Sequence, residues 1–247
     1  IINSKYPFKV YNVYGNMNRY TYSANAIKTG LGVLLKNYWN TEFEYFYSME
    51  NFLQEEAVFD QKETIAGISL SIQLDLLDDV LLPWNGVLFK GKYENSSTEW
   101  GATQNYHFYQ GTGDIYFTQK RNTYRLLGYY HQGLNDFPKY IATISSGSQT
   151  FTGIEEFQLW GNTLVFSRLE YRYKHKKDIF AHLIINWLLS AKADNNVLAE
   201  NKFGIGIGIT LLSPIGPMKF IWSRGPENIY SEEGWQNLFH FSAGYKF

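Results

Sequence analysis

Apolar and polar residues alternate along most of this chain, and the alternation is sharpest in residues 203–211. One face of that segment carries Phe203, Ile205, Ile207, Ile209 and Leu211, and the other carries Gly204, Gly206, Gly208 and Thr210. Successive side chains of a β-strand point to opposite faces, so a period of two residues predicts a strand with one apolar face.

The same period recurs in about a dozen segments. The clearest are residues 26–37, 42–50, 65–76, 163–174, 178–190, 203–212 and 236–247, and weaker ones are 7–14, 86–94, 104–118, 123–132 and 217–224. Short turns separate some segments, whereas long polar connections are predicted at 51–64 and 133–161, with a short surface helix over 50–63 as an alternative. The pattern predicts an all-β chain that forms a single domain, residues 1–247.

A soluble β-sandwich and a membrane barrel both alternate in this way, and two features favour the barrel. Three glycines on one face weaken a strand, unless a crowded barrel interior or an in-folded loop uses that face. Trp39, Trp84, Trp160 and Trp187 lie near the ends of apolar tracts, as in the aromatic girdles of outer-membrane barrels. Aromatic residues make up 18% of the chain although its mean hydropathy is −0.31, which fits strands that are apolar on one face only.

The carboxyl end of the chain adds a further signal. Phe239, Phe241, Tyr245 and Phe247 alternate along the final segment, and the last of them is the terminal residue. An amphipathic strand that closes on an aromatic residue resembles the signal by which outer-membrane barrels are recognised during assembly, where a strand edge is thought to pair with the machinery.

The last 95 residues or so resemble one family. The matching stretches are 151–164 (FTGIEEFQLWGNTL), 169–173 (LEYRY), 204–209 (GIGIGI), 213–220 (SPIGPMKF) and 239–247 (FHFSAGYKF). Together they look like the barrel of the bacterial surface antigen family, which includes the BamA and TamA assembly factors, and most closely like the barrels attached to patatin-like phospholipases. The first 130 residues are only weakly similar.

This resemblance implies a transmembrane antiparallel barrel with the long loop, residues 133–161, folded into the lumen and five strands after it. The family's loop motif, Val-Arg-Gly-aromatic, corresponds here to Phe151, Thr152, Gly153 and Ile154. Thr152 therefore stands where the family has an arginine that pairs with an acidic residue of the inner wall, so the resemblance does not by itself carry that pairing, or assembly activity of the BamA type, over to this chain. The family's assembly factors have sixteen strands, whereas this sequence predicts about twelve, within a range of 10–16.

Charged residues on the polar faces of the strands are predicted to line the lumen. The main set is Arg168, Glu170, Arg172 and Lys219, with Glu42, Glu44, Asp75, Lys90 and Lys92 elsewhere on the wall. Pairing across the interior is the simpler interpretation, because both signs are present. An ion-lined pore is the alternative.

Few residues suggest bond chemistry. There is no Gly-x-Ser-x-Gly elbow and no His-x-x-x-His spacing, so neither a lipase nucleophile nor a metal site is predicted, and no cofactor is expected. A barrel-embedded phospholipase remains an alternative, with Ser242 and His240, or Ser69 and Ser71, as candidates. Those residues, however, fall on the lumen face. The net charge of −1 argues against a nucleic-acid partner.

The sequence therefore predicts a barrel in the outer membrane of a Gram-negative bacterium. Its expected partners are the lipid bilayer, lipopolysaccharide and the assembly machinery, and the resemblance is also compatible with a homodimer. Its expected role is to anchor a domain, such as a patatin-like one preceding Ile1, or to act in protein translocation or membrane insertion. A small-solute pore is a further alternative.

Overall fold

The structure is a computed structural model. It describes residues 2–11, 17–54, 59–135, 137, 143–144, 150–155, 158–193, 198–214, 216–230 and 234–244. Side chains are described from Ala24, except those of residues 52–61 and 143–144. Within these ranges the backbone is almost entirely β-strand, in agreement with the alternation of the sequence.

Fourteen strands occur in the described ranges. They are β1 (Ile2–Tyr11), β2 (Met17–Leu35), β3 (Trp39–Gln54), β4 (Phe59–Asp75), β5 (Gly86–Ser96), β6 (Tyr106–Gln119), β7 (Asn122–Asn135), β8 (Thr143–Ile144), β9 (Leu159–Trp160), β10 (Thr163–Lys176), β11 (Ile179–Lys192), β12 (Leu198–Ser213), β13 (Gly216–Pro226) and β14 (Trp235–Ala243). A 3₁₀ helix, Thr98–Trp100, follows β5. No helix in the described ranges is long and apolar enough to cross a membrane.

Twelve of these strands form one antiparallel sheet in the order β1-β2-β3-β4-β5-β6-β7-β10-β11-β12-β13-β14, while β8 and β9 pair separately within the long loop. The prediction of about twelve strands is confirmed. The sheet is rolled into a barrel. Lys219 on β13 reaches to within 3.5 Å of Glu170 on β10, although two strands lie between them in the sheet.

The two faces of the wall differ as the alternation predicts. On β11, Phe180, Ile184 and Leu188 are fully buried, whereas Leu183 and Trp187 between them are 47% and 40% exposed. The outward set continues around the wall as a belt of exposed isoleucine, leucine and phenylalanine side chains. Such a belt matches the hydrocarbon of a bilayer, which solvates apolar side chains.

The two rims of the barrel carry connections of different length. Residues 36–38, 120–121 and 177–178 make tight turns on one rim, where Ser213 of β12 also pairs with Gly216 of β13. On the other rim, longer stretches of chain separate consecutive strands of the wall, as between Asn135 and Thr163. Short turns face the periplasm in outer-membrane barrels and long loops face outward. The periplasmic rim has one longer connection, residues 76–85.

Two sequence expectations about local structure are wrong. Residues 51–54 and 59–63 are strand, not a polar connection or a helix, and Asn51 pairs with Lys62. Alternation fails there because a strand that extends beyond the bilayer needs no apolar face. Trp84 and Trp160 do not belong to a girdle: Trp160 is 6% exposed and Trp84 packs on the inward Phe180.

The interior is also less polar than the sequence suggests. Two clusters of inward apolar side chains lie toward the long-loop rim. One contains Leu127, Phe151, Ile154, Leu159, Leu164, Phe166, Leu188, Ala191, Ala199 and Ile229. The other contains Phe46, Ile65, Tyr106, Phe108 and Phe137. Loop residues thus fill the lumen together with the wall.

The outward orientation of β12 can be tested with Ile207→Lys. Ile207 is 54% exposed on the outer face, so an ammonium there would enter hydrocarbon, at an expected cost of about 2–4 kcal/mol of unfolding free energy. Urea unfolding in lipid vesicles, followed by tryptophan fluorescence, measures the loss. The matched control is Ser71→Lys, which points into the polar cavity between Glu42 and Lys92, so it stays hydrated and should cost less than Ile207→Lys. Equal losses for the two variants would contradict this orientation.

Candidate functional site

The tip of the long loop, Phe151–Ile154, lies against the inner wall. Phe151, Thr152 and Ile154 are fully buried. Phe151 packs edge-on against Phe166 of β10, with 5.7 Å between the ring centroids. Ile154 belongs to the same apolar cluster. The four residues of the motif therefore meet wall residues far from them in sequence.

Two polar side chains of the wall hold the middle of the tip. Asn186 on β11 donates a hydrogen bond from its amide nitrogen to the carbonyl oxygen of Thr152, at 3.1 Å. Arg168 on β10 donates from Nη1 to the Thr152 hydroxyl at 3.1 Å and to the Thr150 carbonyl at 3.3 Å. Arg168 is completely buried, so these bonds are shielded from water.

The glycines of β12 and β13 make room for the tip. A Cβ atom on Gly204 would lie 2.2 Å from the Thr152 carbonyl oxygen, and one on Gly225 would lie 2.4 Å from the Gly153 carbonyl oxygen. Gly206 faces the Thr152 methyl group at 3.1 Å. The loop therefore occupies the space of the missing side chains at Gly204 and Gly206, whereas a Cβ on Gly208 would meet β13, 2.4 Å from the Phe220 carbonyl oxygen.

Gly153 itself is also required by the geometry. Its φ of +103° lies in a region that other residues rarely adopt. A Cβ there would also lie 2.8 Å from the carbonyl oxygen of Arg224.

Glu170, two residues after Arg168 on β10, is the centre of an ion-pair network. Its carboxylate lies 2.7 Å from Arg168 Nη2, 3.3 Å from Arg125 Nη1, 2.8 Å from His182 Nδ1 and 3.5 Å from Lys219 Nζ. These partners come from four different strands. A buried carboxylate is stable only when neighbouring cations and hydrogen-bond donors offset the loss of its hydration.

Two further groups extend this network. Asp114 receives two hydrogen bonds from Arg125, both at 2.8 Å. The other ring nitrogen of His182 hydrogen-bonds to the Thr210 hydroxyl at 2.7 Å. Of the predicted wall residues, Arg168, Glu170 and Lys219 meet here. Arg172 instead lies toward the periplasmic rim, where it donates to the carbonyl oxygen of Pro83.

An arginine contacts the loop tip, and the wall supplies it. The sequence resemblance places Thr152 where the family has arginine, so it predicts no arginine in the loop. In the structure Arg168 bridges the Thr152 hydroxyl and Glu170, so a guanidinium still links loop tip and acid. Sequence reasoning missed this, because it could not show which wall residue faces position 152.

A polar cavity of about 260 Å³ lies on the opposite side of the lumen. It is lined by Asn40, Glu42, Ser71, Ile72, Gln73, Lys90, Gly91, Lys92, Gln110 and Thr112, from β3 to β6. Lys92 is paired with Glu94 at 2.8 Å. The predicted wall charges Glu42, Lys90 and Lys92 thus line this cavity, and none of them is among the ion-pair partners of Glu170.

The phospholipase candidates do not form a nucleophile–base pair. His240 Nε2 hydrogen-bonds to Ser223 on β13 at 3.0 Å, not to Ser242. Ser69 donates to Glu44 at 3.4 Å. Thr210, His182 and Glu170 form a hydroxyl–imidazole–carboxylate series, but Thr210 is only 2% exposed. No group of three or more metal-ligating side chains occurs in the part of the chain that the structure describes.

The described part of the C-terminal signal faces outward. Phe239 is 83% exposed and Phe241 is 60% exposed, both on the outer face of β14. Tyr245 and Phe247 lie outside the described residues.

Comparison with known proteins agrees with this architecture. The family model described as the Omp85 superfamily domain matches residues 3–247. The chain is similar to the solved structure of BamA from Haemophilus ducreyi lacking POTRA domains 1–3, with 11% identity, a TM-score of 0.75, and 96% of this chain and 56% of that chain covered. It is also similar to CdiB from Escherichia coli, with 12% identity, a TM-score of 0.61, and 96% and 48% covered.

The chain thus spans about half the length of these solved proteins. At such low identity the two structures show the fold alone. No curated protein sequence matches the chain.

Gly204→Ala tests the contact between loop tip and β12. The added methyl group collides with the loop backbone, so we expect a loss of about 1–3 kcal/mol in unfolding free energy and faster proteolysis within residues 133–161. Urea unfolding and limited proteolysis in vesicles measure both. Gly113→Ala on β6 is the matched control, because a Cβ there has no heavy atom within 4 Å. If both variants behave alike, the loop tip does not rest on Gly204.

Moving the arginine from the wall to the loop tests the contact between Arg168 and Thr152. Arg168→Thr removes one partner of buried Glu170 and should cost about 3 kcal/mol, since the remaining cations compensate in part. Adding Thr152→Arg should recover at least half of the lost unfolding free energy, because the guanidinium returns to the same space. A double-mutant cycle of unfolding free energies measures the coupling. Arg224→Thr, at an exposed arginine on β13, is the control. If the double variant regains no unfolding free energy, an arginine at residue 152 cannot replace Arg168, and this prediction is wrong.

Proposed function

The chain belongs to the Omp85 superfamily and is a bacterial outer-membrane barrel, and from this premise we propose that it inserts or translocates polypeptides at that membrane. The match to the family agrees with the resemblance seen in the sequence. BamA-type barrels act in assembly and CdiB-type barrels in secretion. Both roles move a polypeptide at the membrane without breaking a bond, and we propose that this chain likewise performs no catalysis.

The observation that carries this proposal is the docked loop tip. A passive anchor needs only an apolar outer face, and a strand interior rich in glycine weakens it. This barrel nevertheless keeps Gly204 and Gly206 at the loop contact and buries Arg168 to hold Thr152. The interior is therefore built around the loop tip, at a cost to the stability of the wall.

The contacts that hold the loop tip also support a role in which the tip moves. Arg168 and Asn186 bind it through hydrogen bonds, which water or the backbone of a client polypeptide can replace. Net contributions of such bonds are about 1–3 kcal/mol each. A tip held in this way can be released and bound again.

The partners follow from the surfaces. We propose that the outward apolar belt contacts lipid and lipopolysaccharide, and that the assembly machinery recognises the last strand through its outward aromatic residues. A homodimer, and a patatin-like domain for which the barrel serves as anchor, remain part of the proposal. These two rest on the resemblance of the sequence.

The open cavity between β3 and β6 favours a second candidate function, a passage for small hydrophilic solutes. Its lining combines Glu42 with Lys90 and Lys92, so it would select weakly between cations and anions. A passage would conduct ions in a planar bilayer regardless of the position of the loop tip, whereas insertion would depend on it.

A disulfide that tethers the loop tip separates these functions. Thr152→Cys with Gly206→Cys places the two residues within bonding reach, because a Cβ on residue 206 lies 3.1 Å from Thr152 Cγ2. The chain has no other cysteine. In vesicles containing the purified barrel, we expect an unfolded test barrel to insert several times faster than in empty vesicles. Oxidation of the tether should abolish the gain.

The reduced double variant is the matched control, since it differs only in the tether. Recovery of insertion upon reduction supports a loop tip that must move. Insertion no faster than in empty vesicles, together with ion conductance in both redox states, would replace the proposal with a passive passage. If the barrel shows neither faster insertion nor ion conductance, the role of membrane anchor is the one that remains.

A further inference from the structure

Residues 76–85, which we call the mouth segment, join β4 to β5 at the periplasmic rim. The segment begins as an extension of that hairpin, with hydrogen bonds from Leu76 N–H to Val87 O at 2.9 Å and from Asp78 N–H to Asn85 O at 3.1 Å. Gly86, where the segment meets β5, has φ +121°, and a Cβ there would lie 2.1 Å from Leu76 O. The bend therefore requires glycine.

The segment then leaves the wall and enters the mouth of the barrel. The carbonyl oxygen of Pro83 accepts a hydrogen bond from Arg172 on β10. β6 and β7 lie between β5 and β10, and three steps of about 4.8 Å make roughly 14 Å along the wall. Buried Pro83 can make this contact only by projecting inward over β6 and β7.

Trp84 anchors the segment on the far strands. Its ring meets Phe180 of β11 edge-on at 5.5 Å between centroids. The cationic groups of Arg172 and Lys174 lie 5.0 Å and 4.9 Å from the ring centre. Both distances are within the range of a cation–π contact.

The backbone beside Trp84 is tied to the wall below it. Thr118 on β6 donates from its hydroxyl to the Trp84 carbonyl oxygen at 2.5 Å and from its N–H to the Asn85 side chain at 2.9 Å. The same hydroxyl lies 2.9 Å from that of Thr123 on β7. Thr123 is only 2% exposed and is joined to the segment through Thr118.

Asp78 fixes the anchored end of the segment. Its carboxylate accepts hydrogen bonds from the backbone N–H groups of Trp84 at 2.8 Å and Asn85 at 3.0 Å. Desolvation acts to raise the pKa of Asp78, but these hydrogen bonds outweigh it and lower the pKa below its usual value. Asp79 instead accepts from Leu81 N–H and Leu82 N–H at the tip of the segment.

The tip is not packed on the barrel. Val80 is 89% exposed and Leu81 is 43% exposed, in contrast to buried Pro83. The hydrogen bonds and ring contacts that join the segment to β6, β10 and β11 involve Pro83, Trp84 and Asn85. The segment is thus attached at two places, the β4–β5 hairpin and residues 83–85.

We propose that the mouth segment is a lid that closes the periplasmic mouth over β6, β7 and β10, with Trp84 as its latch and Gly86 as its hinge. Release of the Trp84 ring from Phe180, Arg172 and Lys174, together with loss of the hydrogen bonds that Arg172 and Thr118 make to residues 83–85, lets the segment swing out. The inner faces of β7 and β10 then become accessible from the periplasm. The lid controls entry to the lumen and does not depend on what passes through it.

Thiol labelling tests this lid in a chain that otherwise has no cysteine. Thr123→Cys places a probe behind Trp84, and a water-soluble maleimide measures its accessibility in the folded, detergent-solubilised protein. Adding Trp84→Ala should speed labelling about tenfold. Trp100→Ala, on the opposite rim, is the matched control and should leave the rate unchanged. Heat-modifiable migration in gels confirms that each variant is folded.

A second pair of variants keeps the test independent of Trp84 packing. Asp78→Ala loses the hydrogen bonds to Trp84 and Asn85 and should also speed labelling, whereas Asp79→Ala alters only the tip and should not. Unchanged labelling in both folded Trp84→Ala and Asp78→Ala would overturn the lid. Because no client polypeptide is present, this result stands whether or not the barrel accelerates insertion.

Discussion

The structure depends on one constraint: in hydrocarbon, each backbone N–H and C=O must find its partner within the protein. Strands meet it only by pairing with neighbours on both sides, so the chain forms a continuous antiparallel wall of twelve strands. Once the wall exists, alternate side chains must enter lipid and the remainder must fill the lumen. The other features of the molecule depend on how these inward-facing side chains are arranged.

The lumen is arranged in layers along β10 and β11. Apolar side chains cluster toward the long-loop rim, the Glu170 network occupies the middle, and Trp84 lies over Phe180 at the periplasmic rim. Each layer joins the wall to a segment that is not part of it. The apolar and ionic layers hold the loop tip, and the periplasmic layer holds the mouth segment. The β3–β6 side has no such filling and keeps a polar cavity.

The contact between Arg168 and Thr152 joins the loop tip to the wall. The sequence resemblance expects an arginine in the loop of such barrels, whereas here the wall provides the guanidinium and the loop provides a hydroxyl. The guanidinium of Arg168 does two things at once: it compensates part of the buried charge of Glu170, together with Arg125 and Lys219, and it holds the loop tip.

The sequence alone determined the all-β class, the number of strands, which face of β11 and β12 meets lipid, and the membrane that the barrel occupies. These follow from a period of two residues and from local motifs, which neighbouring residues specify. It could not show that Phe180, Ile184 and Leu188 form an apolar interior, because alternation marks only the more apolar of two faces. Nor could it show the contacts of Thr152 with Arg168 or of Trp84 with Phe180. Those join residues 16 and 96 positions apart across the lumen, and only the curvature and register of the wall decide which side chains meet there.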